Sequence, residues 1–78
     1  MAERPIDQIC LEEIANAMVF VARAAAGADV DGLLHETNAI FGGSRLTEGI
    51  RARLTKGLNY ALSTGRLRTA DSLIVAPS

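Results

Sequence analysis

Apolar positions recur at helical spacing through most of this chain and give way to a strand-like pattern only near its end. Ile6, Cys10, Ile14, Ala17, Met18, Val21 and Ala25 fall at intervals that build one face of a helix. Pro5 and Asp7 are start signals and Gly27 is a stop, so the pattern predicts a first helix over 7–26, with Glu12, Asn16 and Arg23 opposite the stripe. Within it, Ala17 to Ala22 reads Ala-Met-Val-Phe-Val-Ala, apolar on every side. Helices of that kind are covered on more than one face. Val19, Phe20 and Ala22 therefore form a candidate collar for a partner, either a second copy or another part of a larger chain.

A second helix is predicted over 31–41, with Asp29 or Asp31 as N-cap. Leu33, Leu34, Thr37, Ile40 and Phe41 supply its apolar face, while His35, Glu36 and Asn38 are expected in water. Gly42-Gly43 ends it. A third helix is predicted over 46–63, capped by Ser44 or Thr47, with Ile50, Leu54, Leu58, Ala61 and Leu62 buried. Lys56, Asn59 and Ser63 point away, Arg53 and Tyr60 lie on one flank, and Arg51 sits nearer the core edge. Gly49 and Gly57 each weaken this helix by roughly 1 kcal/mol relative to Ala, so tertiary packing must compensate.

After Gly65 the period changes. Leu67-Arg68-Thr69 and Ser72-Leu73-Ile74-Val75 read as two short strands around a tight turn at Ala70-Asp71. Two helices, a glycine-containing turn over 42–45, a third helix and a hairpin is the order of a winged helix-turn-helix. The expected fold is mainly α, one domain over 1–78, with a two-stranded wing and a short first strand near Ala28-Asp29-Val30.

Charge changes the picture more than composition does. The chain has a net charge of −1, but its signs are segregated: 1–42 sums to −5 and 43–68 to +5. The basic residues of the second segment are Arg45, Arg51, Arg53, Lys56, Arg66 and Arg68, against Glu48 alone. A basic face on a near-neutral small domain points to something anionic or to an acidic protein surface. On the third helix such residues would meet phosphates, with Asn59 as a candidate reader of an adenine edge; Arg66 and Arg68 would do so from the wing. The bland alternative is a solvated helix face, with cations favoured near a helix C-terminus. No aromatic residues interleave the charges, so a stacking platform for single strands is not evident.

With 49% hydrophobic residues but no Trp, the core must be aliphatic. No apolar run reaches the ~20 residues that span a bilayer, and no secretory pattern opens the chain. Cys10 is the only cysteine and cannot form an internal disulfide, which fits a reducing, cytoplasmic setting. It falls on the apolar face of the first helix, so a small buried hydrophobe is expected there. His35 lacks the companions of a zinc site, Glu12-Glu13 point in different directions, and Gly42-Gly43-Ser44 lacks the lysine of a phosphate loop. Ser44, Ser63, Thr64 and Ser72 have no partner base that spacing identifies. Neither an enzyme, nor a metal site, nor a cofactor is expected from these residues. Composition fits a free-standing protein or a domain of a larger one.

Several segments carry a family resemblance: Arg4-Pro5-Ile6, Glu12-Glu13-Ile14, Leu33 to Phe41-Gly42 with Arg45 three residues on, Ile50-Arg51-Ala52-Arg53-Leu54 with Leu58, and Gly65-Arg66-Leu67-Arg68. From Ile6 to Val75 the chain resembles a winged-helix domain near the C-terminal end of large bacterial proteins related to superfamily 1 helicases. Gly49 stands where that family tends to place a basic residue, and Leu73-Ile74-Val75 where it often has an aromatic one. The family's motor and nuclease motifs lie in other segments, so the resemblance implies no chemistry for these residues. It implies an accessory domain that holds duplex DNA near a motor through the third helix and wing. The competing expectation is a non-catalytic docking or dimerisation module that uses the apolar first helix.

Overall fold

The computed structural model describes residues 8–43 and 45–77. Its elements run α1 (Leu11–Ala25), α2 (Val30–Ile40), α3 (Glu48–Ser63), β1 (Arg68–Ala70) and β2 (Leu73–Val75). Three helices followed by an antiparallel hairpin make a winged-helix-like layout, as the hydrophobic pattern predicts.

Local chemistry explains each boundary. α1 starts four residues later than its apolar spacing suggests, and the start signals at Pro5 and Asp7 lie outside the described residues. Glu12 and Glu13 occupy its first turn and Arg23 its last, the order that complements the helix dipole. Because the helix begins at Leu11, Cys10 is its N-cap and not a member of its stripe; its side chain is exposed, correcting the expectation of a buried thiol. Ala26 takes the left-handed conformation at φ 55°, and Gly27 donates to Ala22 O at 2.9 Å, closing the last turn. Asp29 caps α2 by accepting from Gly32 N at 2.9 Å. Thr47 caps α3 by accepting from Ile50 N, while the alternative cap Ser44 is outside the described residues.

The hairpin pairs Arg68 with Val75, Thr69 with Ile74 and Ala70 with Leu73. Its two-residue turn is Asp71-Ser72, one residue beyond the predicted position, and both residues have positive φ (50° and 67°). That is the signature of a primed turn, whose twist matches the strands. The expected first strand reduces to one bridge, in which Ala28 and Ile74 exchange hydrogen bonds of 3.0 and 2.7 Å. The α1–α2 connection is thereby fastened to the wing.

The core is aliphatic: Ile9, Ile14, Met18, Leu33, Leu34, Leu54 and Leu67 are fully buried. α1 packs chiefly on α3. Gly57 makes their close approach feasible, since a Cβ there would fall on Ile14 Cγ2. Packing of this kind accounts for Gly57, whereas Gly49 faces open space.

Asn38 departs from its predicted place in water. It is 4% exposed, and its Nδ2 donates to Arg45 O at 3.1 Å across the helix-turn-helix joint. Gly43 lies against the same amide, with no room for a side chain. The turn between α2 and α3 is thus held from inside by a buried polar group. Ile40, expected in the core, is 47% exposed because α2 ends there at the domain edge.

Candidate nucleic-acid interface

α3 seats Leu54, Gly57, Leu58 and Ala61 against the other elements, with Ile50 and Leu62 half-buried. At 3.6 residues per turn the opposite face carries Ala52, Thr55, Lys56, Asn59 and Ser63, and all of these are exposed. It is an uncovered polar helix face. Lys56 and Asn59, three residues apart, are neighbours on it.

The six basic residues do not share that face. Arg51 and Arg53 are two positions apart and leave α3 on different flanks. Arg51 reaches α2, where its Nη1 donates to Asp31 Oδ1 at 2.8 Å. This hydrogen bond, and next the charge behind it, hold the Asp31 carboxyl below the ordinary carboxylate range. Arg53 turns toward α1 and donates through Nη2 to Ile9 O at 2.8 Å. Arg66 leaves the α3–β1 connection to reach α1, donating to Glu12 Oε2 at 3.1 Å and Asn16 Oδ1 at 3.2 Å. Its guanidinium also lies 5.5 Å from the centroid of the Tyr60 ring. Among the described residues, Arg45, Lys56 and Arg68 make no side-chain hydrogen bond or ion pair, and all three are exposed.

Segregated charge along the chain thus becomes complementary charge within the fold. Half of the basic set ties α3 and its exit to α1, to the segment just before it and to α2. The other half remains outward: Arg45 in the approach to α3, Lys56 on its outer face and Arg68 on β1. The six basic residues expected to form one contact surface are thus divided by the fold into an internally bonded half and an outward half, and Asn59 lies beside Lys56 on the outer face of α3.

The collar on α1 is also corrected. Phe20 is 67% exposed, but Val19 is half-buried and Ala22 belongs to the core. Ala22 falls one turn after the buried Met18, so it shares the stripe that faces inward. Beside Phe20 runs an open groove lined by Val21, Ala24, Ala25, Glu36 and Ile40. The part played by Ile40 was missed because helical spacing reports which face a residue occupies, not whether the neighbouring element extends far enough to cover it. On the opposite side of α1, Asn16, Val19, Arg23, Gly65, Arg66 and Pro77 line a second, more polar groove.

Among the described residues no three His, Cys, Asp or Glu side chains gather as metal ligands would. His35 is exposed. No described helix is long and apolar enough to cross a membrane. No protein-family model, curated protein or solved structure matches the chain.

Proposed function

We propose that this domain is an accessory nucleic-acid-binding module that meets the phosphate backbone of a duplex through the outer face of α3 and the wing. The observation that carries the reading is the uncovered polar face of α3, with Lys56 and Asn59 on it and the uncommitted Arg45 and Arg68 before and after the helix. In helix-turn-helix proteins the second helix of the pair enters the major groove, and phosphate contacts around it fix register. Arg45, Lys56 and Arg68 supply those contacts. Asn59 is positioned to offer an amide to a base edge. Arg51 can join them, because an exposed pair such as Arg51–Asp31 is readily exchanged for a phosphate. Arg53 and Arg66 hold the scaffold. Placement beside a helicase-like motor follows from the resemblance of Phe41-Gly42 with Arg45, and of Gly65-Arg66-Leu67-Arg68, to that winged-helix family.

Three or four phosphate contacts set a measurable scale. Each contributes about 0.9 to the slope of log K against log salt, so the slope should be about −3. The test is fluorescence anisotropy of a labelled duplex of about 20 base pairs, titrated at several salt concentrations. Saturable binding with that slope, lost in Lys56→Glu/Arg68→Glu, supports the assignment. Absence of binding at low salt, or equal binding by the double variant, refutes it.

A further inference from the structure

One side of α1 carries a polar stripe that the DNA reading does not use. Glu12, Asn16, Val19 and Arg23 succeed one another at helical spacing, so they share one side of α1 over about 16 Å. The α3–β1 connection runs alongside, and Asn16, Val19, Arg23, Gly65, Arg66 and Pro77 line the open groove there. One end of this groove already holds a carboxylate: Arg66 donates to Glu12 Oε2 at 3.1 Å and to Asn16 Oδ1 at 3.2 Å. Arg23, two helical turns beyond Asn16, is exposed and makes no side-chain hydrogen bond or ion pair among the described residues. Glu12 offsets Arg66, so Arg23 is the uncompensated charge of the groove. Val19 and Pro77, both half-buried, give the groove its apolar surface.

The position and shape of the groove select its occupant. α1 packs on the side of α3 opposite Lys56 and Asn59, so a duplex on that outer face leaves α1 behind the contact. Small solutes are held by enclosure, and this groove is open. An extended peptide suits an open groove, and the planar fork of arginine matches a carboxylate. Spacing adds a pattern. Val19 and Arg23 are separated by about 6 Å along the helix axis. On an extended strand, side chains two positions apart project to the same side about 7 Å apart. An acidic residue with an apolar one two positions away therefore reaches both.

From this match we infer that the groove is a docking site for an extended acidic segment of a partner protein, with its carboxylate on Arg23 and its apolar side chain on Val19 and Pro77. A single exposed ion pair contributes at most about 1 kcal/mol, so the docking is weak. Arg45, Lys56, Asn59 and Arg68 take no part in it, so its test and the DNA test fail separately.

The probe is the end-capped peptide Ser-Leu-Thr-Glu-Thr-Leu-Ser, whose glutamate is its only charge. Titrated into the whole chain and followed by NMR of the backbone amides, it should give saturable shifts at millimolar peptide, centred on Asn16, Val19, Arg23, Gly65 and Arg66. Two control peptides, one with glutamine in place of glutamate and one with the leucines moved beside the glutamate, should bind about threefold more weakly or less. Arg23→Gln should bind the glutamate peptide no better than the wild type binds the glutamine peptide, with circular dichroism unchanged. The proposal is overturned by the absence of saturable shifts, by shifts centred elsewhere, or by equal binding of either control or by Arg23→Gln. A duplex that moves the same amides also overturns it, since Arg23 would then be a phosphate contact.

Discussion

The seat of α3 on α1 rests on one missing side chain, and replacing it gives a sharp test of the packing. Both Gly49 and Gly57 lie in α3, and helix propensity alone predicts that alanine at either position stabilises the domain, by about 1 kcal/mol in a helix interior. The structure separates them. A Cβ at Gly49 meets nothing within 4 Å. A Cβ at Gly57 falls inside van der Waals contact of Ile14 Cγ2 and meets Ile14 Cβ at 3.0 Å. Ile14 is fully buried, and its branched side chain is stiff at χ1, so it has little room to yield. Overpacking of this kind costs about 1–3 kcal/mol, and a contact this close belongs at the upper end. Gly57→Ala should therefore lose about 1–2 kcal/mol net, and Gly49→Ala should gain up to about 1 kcal/mol. In a domain of this size 1 kcal/mol moves the melting temperature by about 4–8 °C, so the two variants should melt on opposite sides of the wild type. Thermal and urea unfolding followed by circular dichroism at the helical band give both shifts. If Gly57→Ala is stabilised like Gly49→Ala, Ile14 yields freely and the close α1–α3 seat is not what requires glycine.

Three further outcomes are expected. Asn38→Ala removes the Nδ2 bond to Arg45 O and should cost about 1–2 kcal/mol in urea unfolding; amide exchange should quicken over the α2–α3 turn, and protection equal to wild type there would show that Asn38 does not hold the joint. Replacing Asp71-Ser72 with Asn-Gly sets a residue that tolerates positive φ at 71 and relieves the L-residue at 72, and should raise stability by about 1 kcal/mol, read as a higher melting temperature; an unchanged or lower value would contradict the primed turn. The depressed Asp31 carboxyl contributes stability that is present above its unfolded pKa of about 3.9 and is lost as pH falls through its lower folded value. In Arg51→Gln its carboxyl should titrate upward by NMR, and an unmoved titration would remove Arg51 as the cause.

Much of the architecture is legible in the chain because it depends on neighbours in sequence. Period, cap and stop residues mark three helices, and the glycines at 42 and 65 and the short apolar runs after them mark the joint and the wing. Helix starts are less legible: Cys10 fits the stripe of α1 by spacing, yet α1 begins one residue after it. Asn38 and Gly43 are likewise opaque, since one buried amide serves both and its partner, the Arg45 carbonyl, lies in the next segment.

The candidate site divides along the same line. The sequence by itself determined which residues are basic, that they cluster after residue 43, and that Lys56 and Asn59 share an outward helix face. Only the tertiary structure decided that Arg51, Arg53 and Arg66 turn inward to Asp31, to the Ile9 carbonyl and to Glu12 with Asn16, leaving Arg45, Lys56 and Arg68 outward. The reason is physical. A charge's sign belongs to its residue, but whether it is spent inside the fold depends on which opposite group another element brings within hydrogen-bonding distance, and these pairs lie 20 to 54 residues apart in the chain.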